Sequence, residues 1–314
     1  MELPIVSIII PTYNRAHLIG ETLDSVVNQT HTEWACFVVD DGSTDDTEEV
    51  VKKYTEKDSR FHYAKRPRNR PKGPNACRNY GFEISKSTYV YWFDSDDLLK
   101  PDALSQYLSA FTEDTDVVIA PVEKTDLESG IVLEQNRISS ENLIIDYFNN
   151  KVCYFVCGPI WKRSFLNQQD ELFDEYLGHH DEWDFNLRMI YRNPKKILLD
   201  TPQVIYRQHK DSFKTEIPKG NHKQIESAFK ARFKHLTLIS EQYPTLAKEI
   251  KTLIAHLYKK TVRNFLISKQ KGWFRYYRKA IQLYLSLFDF KSITKMTVGI
   301  VSYKLFRKGY SWFN

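Results

Sequence analysis

Asp94-Ser95-Asp96 sets two carboxylates one residue apart, directly after the apolar and aromatic run Tyr89 to Phe93. Hard oxygen donors on a tight loop suit a divalent cation such as manganese or magnesium, bound together with a phosphate. Two further polar clusters have the same placement. Pro11-Thr12-Tyr13-Asn14-Arg15 follows the run Val6 to Ile10, and Asp40-Asp41-Gly42-Ser43 follows Trp34 to Val39. In open parallel sheets ligands bind outside the carboxyl ends of the strands, so polar residues directly after strands are the first candidates for a site. His179-His180-Asp181-Glu182-Trp183-Asp184-Phe185 opens a helical stretch with acidic residues, which at the least favours the helix dipole.

The elements that must position these clusters alternate regularly. Val6 to Ile10 reads as a buried parallel strand, and Leu18, Ile19, Leu23, Val26 and Val27 mark one face of the helix after it. Trp34 to Val39 is a second strand. Asp46 to Lys53 then has acidic residues at its start and lysines at its end, as a helix dipole prefers. A strand at Phe61 to Ala64, a helix at Asn75 to Ile84, a strand at Tyr89 to Phe93 and a helix opened by Pro101 and running to Phe111 continue the series. Such alternation predicts a mostly parallel sheet covered on both faces. From Asp116 to about Tyr206 the pattern loosens, with a strand at Val117 to Ala120 and helices at Ser140 to Phe148 and Glu182 to Tyr191. After Pro218 it is helical only: Ile225, Phe229, Phe233 and Leu236 share a face, as do Ile250, Leu253, Ile254 and Leu257, and then Tyr277, Ile281, Tyr284 and Phe288.

Charge divides the chain in two. Residues 222–314 hold 19 Lys and Arg against 4 Asp and Glu, a balance of +15, whereas residues 1–221 hold 26 against 36, a balance of −10. No Gly-x-Gly-x-x-Gly follows a strand, which argues against a dehydrogenase. A nucleotidyltransferase would carry a Gly-rich basic loop near its start, which Pro11 to Arg15 is not. The basic tail has no nucleic-acid reader motif, and the acidic front would repel a phosphate backbone. No apolar run approaches the roughly 18–20 residues of a spanning helix, and the N-terminus lacks a signal-peptide pattern. Cys36, Cys77, Cys153 and Cys157 form no Cys-x-x-Cys pair, so a reducing cytoplasm and no zinc site are expected.

The run Val6 to Arg15, the turn Val39 to Ser43 and Asp-Ser-Asp-Asp after an aromatic strand, in this order and spacing, resemble the family 2 glycosyltransferases of the glycosyltransferase-A fold, over about residues 3–212. The resemblance implies an inverting transfer of a sugar from a nucleoside-diphosphate sugar, UDP-linked by preference, to a hydroxyl of a glycan or lipid-linked acceptor. It makes Asp96 the metal ligand and Asp94 a contact to the ribose or metal, with Ser95 between them. Pro11, Thr12, Tyr13 and Arg15 join Asp40 or Asp41 around the nucleotide, one carboxylate accepting the imide N–H of uracil. Arg78, in Asn75-Ala76-Cys77-Arg78-Asn79, matches an arginine facing the nucleotide, and the basic stretch from Lys65 to Lys72 reads as a phosphate-facing lid or a solvated loop. The family places a Glu-Asp pair at the start of a late helix for the base. Here the order is inverted, so the base is Glu182 or Asp181, with alignment through Trp183-Asp184-Phe185 favouring Glu182. Trp161 falls where the family builds its acceptor cleft, though a place in the core suits it equally, and His209 where a late histidine completes the metal shell.

The expected architecture is therefore α/β: a three-layer domain over 1–218, with a nucleotide-sugar half at 1–112 and an acceptor half at 113–218, followed by a helical, basic region over 219–314. The alternative is a non-catalytic protein that binds nucleotide-sugars or glycans. An amphipathic helix over Arg275 to Phe290, with Arg275, Arg278, Lys279 and Gln282 opposite its apolar face, would place the chain at the inner face of an anionic membrane. A homo-oligomer stays open.

Overall fold

The computed structural model describes residues 4–177, 180–208, 222–241 and 243–306. They fall into two compact units, one within Met1–Glu216 and one within Ile217–Asn314.

The first unit runs β1 (Val6–Thr12), α1 (Ile19–Val27), β2 (Trp34–Asp40), α2 (Thr47–Lys57), β3 (Phe61–Lys65), α3 (Pro74–Ile84), β4 (Tyr89–Trp92), β5 (Leu98–Leu99), α4 (Ala103–Ala110), β6 (Val117–Ile119), β7 (Val122–Asp126), β8 (Val132–Gln135), α5 (Leu143–Phe148), β9 (Pro159–Lys162), α6 (Arg163–Leu166), α7 (Asp181–Tyr191), β10 (Lys196–Leu198) and β11 (Val204–Gln208). Seven strands form the main sheet in the order β10-β6-β9-β4-β1-β2-β3. β4, β1, β2 and β3 are mutually parallel, with Thr12 beside Asp40 and Asp40 beside Lys65. Their carboxyl ends therefore lie along one edge of the sheet. β9 runs antiparallel to both β4 and β6.

Strand alternation makes the three layers. Val6, Ile8 and Ile10 pack into one core with Ile19, Leu23 and Val26 of α1, Val51 of α2 and Leu104 and Tyr107 of α4. Ile9 points to the other face, where α3 packs on β1 and β2. A Cβ added at Gly81 of α3 would lie 2.3 Å from Ile9 Cγ2, so the helix can come this close only on a glycine. Apolar residues on both faces are the reason β1 reads as a continuous apolar run.

Two features depart from the expected pattern. A second, four-stranded sheet of order β5-β11-β7-β8 stands beside the main one, built from strands too short and too polar to read from periodicity. α4 starts at Ala103, not at Pro101.

The second unit comprises α8 (His222–Ser240), α9 (Pro244–Ile267), α10 (Trp273–Ser286) and α11 (Phe290–Phe306). α9 packs against α8 and α10, and α10 against α11. The expected amphipathic helix over 275–290 is corrected here. α10 ends at Ser286, the chain turns at Phe288 in a left-handed conformation (φ 57°), and Tyr276, Ala280 and Tyr284 are buried in the bundle. Tyr284 and Phe288 thus do not share an outward face. No helix among the described residues is long and apolar enough to cross a membrane.

Candidate active site

The loops after β1 and β2 are stitched to each other before they meet anything else. Asn14 takes a left-handed conformation (φ 50°), which asparagine tolerates better than most residues. Its Oδ1 accepts from the Thr44 backbone N–H (2.8 Å), its own N–H donates to Ser43 Oγ (2.9 Å), and the Arg15 N–H donates to Thr47 Oγ1 (2.9 Å). Asp40 closes the second turn. Its Oδ1 accepts the N–H groups of Gly42 (2.8 Å) and Ser43 (2.7 Å), and its Oδ2 accepts the Tyr63 hydroxyl (2.8 Å). Asp41 donates its N–H to Thr12 O (2.9 Å) and pairs through Oδ1 with Arg66. Pro11 and Thr12 are buried, and Thr12 Oγ1 has no hydrogen-bond partner among the described residues. Tyr13 is exposed, with Lys72 Nζ 3.6 Å above its ring.

Arg78 lies at the centre. α3 begins at Pro74 after Gly73, whose φ of 143° turns the chain into the helix, and this brings Arg78 under the sheet edge. Only 3% exposed, Arg78 donates to Asp94 Oδ1 and to Asp181 Oδ2, both at 2.9 Å. Asn75, one turn earlier, accepts from Arg78 at 3.3 Å and donates to the Asp174 carbonyl at 2.8 Å. The arginine therefore joins α3, the loop after β4 and the start of α7.

The loop after β4 carries three acidic residues with different surroundings. Burial pushes the Asp94 carboxyl up to about 7; Arg78 opposes this, and the nearby Glu182 and Asp96 charges add to it. Asp96 lies 3.7 Å from Arg15, and both are partly exposed. Asp97 is buried: its Oδ1 accepts the Arg207 N–H (3.0 Å) and its Oδ2 faces Cys157 Sγ (3.5 Å), while burial holds its carboxyl well above the usual range. Ser95 is buried between them. Arg207 ties the loop down, donating to the Asp96 carbonyl and pairing with Glu21.

α7 opens with Asp181 and Glu182 after His180, which adopts a left-handed conformation (φ 66°). Glu182 Oε2 accepts the Val156 N–H (2.9 Å). Trp183 is buried and donates to the Tyr147 carbonyl (3.1 Å), and Asp184 is buried against Arg188 (2.9 Å), so the Trp-Asp-Phe run anchors the helix that presents the two acids.

Asp94, Asp181 and Arg78 are thus brought into direct contact, with Asp96, Arg15 and Glu182 beside them. Trp161 is not there. At 2% exposure it sits in β9 between Val90 and Val117, stacked on Phe165 and edge-on to Phe185, and belongs to the core. His209 lies outside the described residues. Among those residues no cluster of three or more His, Cys, Asp or Glu forms a ready metal cage. Asp94 and Asp96 fit a cation that completes its shell with phosphate oxygens and water, since both carboxylates reach the solvent edge of the site. Arg66, Asn75 and Arg207 were not singled out from the sequence. Arg66 belongs to the basic stretch of residues 65–72, in which Lys65 pairs with Glu48, Arg66 with Asp41 and Arg70 with Glu83 and Glu175, while Lys72 lies over Tyr13.

Residues 7–169, just over half of the chain, match the glycosyl transferase family 2 profile. The chain belongs to this family. It is 30% identical over 220 residues to the putative glycosyltransferase EpsH of Bacillus subtilis, covering 68% of this chain and 63% of the relative. It is 29% identical over 206 residues to the poly(ribitol-phosphate) beta-glucosyltransferase of Bacillus spizizenii, covering 64% of this chain and 32% of the relative. The chain therefore spans less than two thirds of the length of these curated relatives. Among solved structures, S. aureus TarS 1-349 in complex with UDP-GlcNAc matches with a TM-score of 0.70 at 19% identity, over 95% of this chain and 91% of that one. The mannosyltransferase PcManGT from Pyrobaculum calidifontis in complex with GDP-Man and Mn2+ matches at 0.53 and 15% identity, over 98% and 89%. Both likenesses are of fold, and they place this family 2 member in the glycosyltransferase-A architecture.

Proposed function

We propose that this family 2 member transfers a sugar, with inversion, from a nucleoside-diphosphate sugar to a hydroxyl of a glycan or lipid-linked acceptor. The observation that carries the reading is the junction of Arg78 with Asp94 and Asp181, which collects the loop after β4 and the head of α7 at one sheet edge. UDP is the favoured nucleotide. Asp40 spends both oxygens on its own turn and on Tyr63, so Asp41, with Oδ2 facing no donor among the described residues, is the carboxylate for the uracil imide, beside the unpartnered Thr12 hydroxyl. The UDP-GlcNAc held by TarS and the GDP-Man with Mn2+ held by PcManGT support a donor of this class.

Asp94 and Asp96 would hold manganese or magnesium, which supplies Lewis-acid neutralisation of charge on the departing diphosphate. Arg15, 3.7 Å from Asp96, adds a fixed positive charge at the same place. Glu182 is the base: its Oε2 is oriented by the Val156 N–H, whereas Asp181 is committed to Arg78. As Glu182 takes the acceptor hydroxyl proton, the oxygen forms a bond to the anomeric carbon on one face, and the bond to the diphosphate breaks on the other, its electron pair leaving with the nucleotide. The test is release of nucleoside diphosphate from a panel of UDP- and GDP-sugars, with manganese and with excess chelator. Turnover of a UDP-sugar that chelator suppresses is expected. Undiminished turnover under chelator would refute the metal reading, and nucleotide binding without turnover of any donor would point to a binding protein.

A further inference from the structure

α11 is apolar on two sides, and among the described residues only one of them is covered. Met296, Gly299, Ile300 and Tyr303 are buried toward the bundle. Directly opposite, Phe290, Thr294, Val298, Val301 and Leu305 recur at spacings of three and four and form one outward stripe. The apolar members are open to solvent, Leu305 at 68% and Val301 at 50%, and Phe288, at the turn before the helix, is 81% exposed. Isolated exposed apolar residues need no explanation, but a continuous stripe along a whole helix marks a contact surface.

The flanks say what the surface meets. Lys291 and Lys295 lie exposed on one side of the stripe and Lys304 on the other, where its Nζ stands 4.4 Å over the Trp273 ring. α11 contains no Asp or Glu. An apolar ridge between two basic margins matches the boundary of an anionic bilayer, with hydrocarbon in the middle and phosphate at the edges. A second copy of this face would instead bring lysines onto lysines, in a segment that already carries +15 over 222–314.

We infer that the outward stripe of α11 seats the protein in the plane of an anionic membrane surface. Phe290, Val298, Val301 and Leu305 would enter the headgroup boundary while Lys291, Lys295 and Lys304 engage lipid phosphates. Each basic residue near an anionic leaflet strengthens binding roughly fivefold at low salt. Each buried large apolar side chain adds roughly tenfold or more.

The experiment is flotation of the full chain with vesicles of phosphatidylcholine alone and of phosphatidylcholine mixed with phosphatidylglycerol. Wild type should float with the mixed vesicles at low salt and not with the neutral ones. V301E/L305E, changed at exposed positions, should lose binding by roughly a hundredfold with its circular dichroism unchanged. V301S/L305S keeps the test available if the acidic pair perturbs the helix, and should lose roughly tenfold or more. K291Q/K295Q should weaken binding and its salt dependence together. Failure of the wild type to float, equal flotation of wild type and both stripe variants, or a concentration-dependent dimer that V301E/L305E abolishes would each overturn the inference.

Discussion

Replacing Arg78 with methionine isolates what the junction between the loop after β4 and the head of α7 contributes. The guanidinium is buried and makes two charge-assisted hydrogen bonds of 2.9 Å, to Asp94 and Asp181. Such bonds contribute roughly 1.5–3 kcal/mol each, and removing one member of a buried ion network costs about 3–5 kcal/mol because charges are left without a partner. Here the stranded carboxylates keep contact with water, at 23% and 21% exposure, so the lower end applies and about 3 kcal/mol is expected. Against a domain stability of about 5–15 kcal/mol this is a large shift in a urea denaturation midpoint. Arg78→Lys should recover less than half of it, since a single ammonium on a flexible stem does not reproduce the fork that holds two carboxylates apart. In an Asp181→Asn background, Arg78→Met should cost about half as much, because one of the two ionic partners is already gone. Urea unfolding followed by circular dichroism measures the wild type and the four variants. A loss below about 1 kcal/mol for Arg78→Met, or equal losses in the two backgrounds, would refute the reasoning.

Asp96→Asn should leave unfolding unchanged, because the side chain is partly exposed on a loop, and should lower metal-dependent transfer by about 10²-fold or more; manganese titration of nucleotide release checks both. Glu182→Gln should cut turnover by about 10² to 10⁴ with little change in donor binding. Asp181→Asn should instead act on stability through Arg78, and a reversal of these two outcomes in steady-state kinetics would reassign the base. Gly81→Ala should destabilise by about 1–3 kcal/mol, since its methyl would sit 2.3 Å from Ile9 Cγ2. Ile9→Ala should cost less in that chain than in the wild type, because it relieves the clash, and thermal melts of the four proteins of the cycle measure the difference.

The strand-end clusters were legible because both signals that define them are local: an apolar run sets a buried strand, and the polar residues that follow must lie at its carboxyl end. The pairings among them were not. Arg78 and Asp181 are separated by 103 residues and Asp97 and Arg207 by 110, so only the folded topology brings them together. Arg207 is a charged residue in a short strand with no local signal for burial, yet it is buried between Asp97, the Asp96 carbonyl and Glu21. Trp161 stayed open between cleft and core because an aromatic residue near an expected acceptor cleft looks the same in sequence whether it points into the cleft or into the sheet. The antiparallel insertion of β9, which decides that direction, leaves no periodic trace. For the helical region, burial in a four-helix bundle moved the outward apolar face from the 275–290 segment to α11.

The same long-range pairings bear on how the proposed base, Glu182, is held. The nucleotide side of the site is built from turns that satisfy themselves: Asp40 with Gly42 and Ser43, Asn14 with Thr44, Arg15 with Thr47. The loops after β1 and β2 thus keep their shape with partners from residues 1–112, whereas the loop after β4 is held by Arg207 from β11. At the head of α7 the side chains of Asp181 and Glu182 are fixed from elsewhere in the chain, by Arg78 from α3 and by the Val156 N–H from a loop, while Trp183 and Asp184 anchor the helix behind them. Asp181 therefore ties the helix start to the loop after β4 through Arg78, and Glu182, one residue on, is oriented by the Val156 N–H. On the proposed assignment of Glu182 as the base, the inverted Asp-Glu order is compatible with the chemistry: the residue bound to the arginine would have to break that contact to accept a proton.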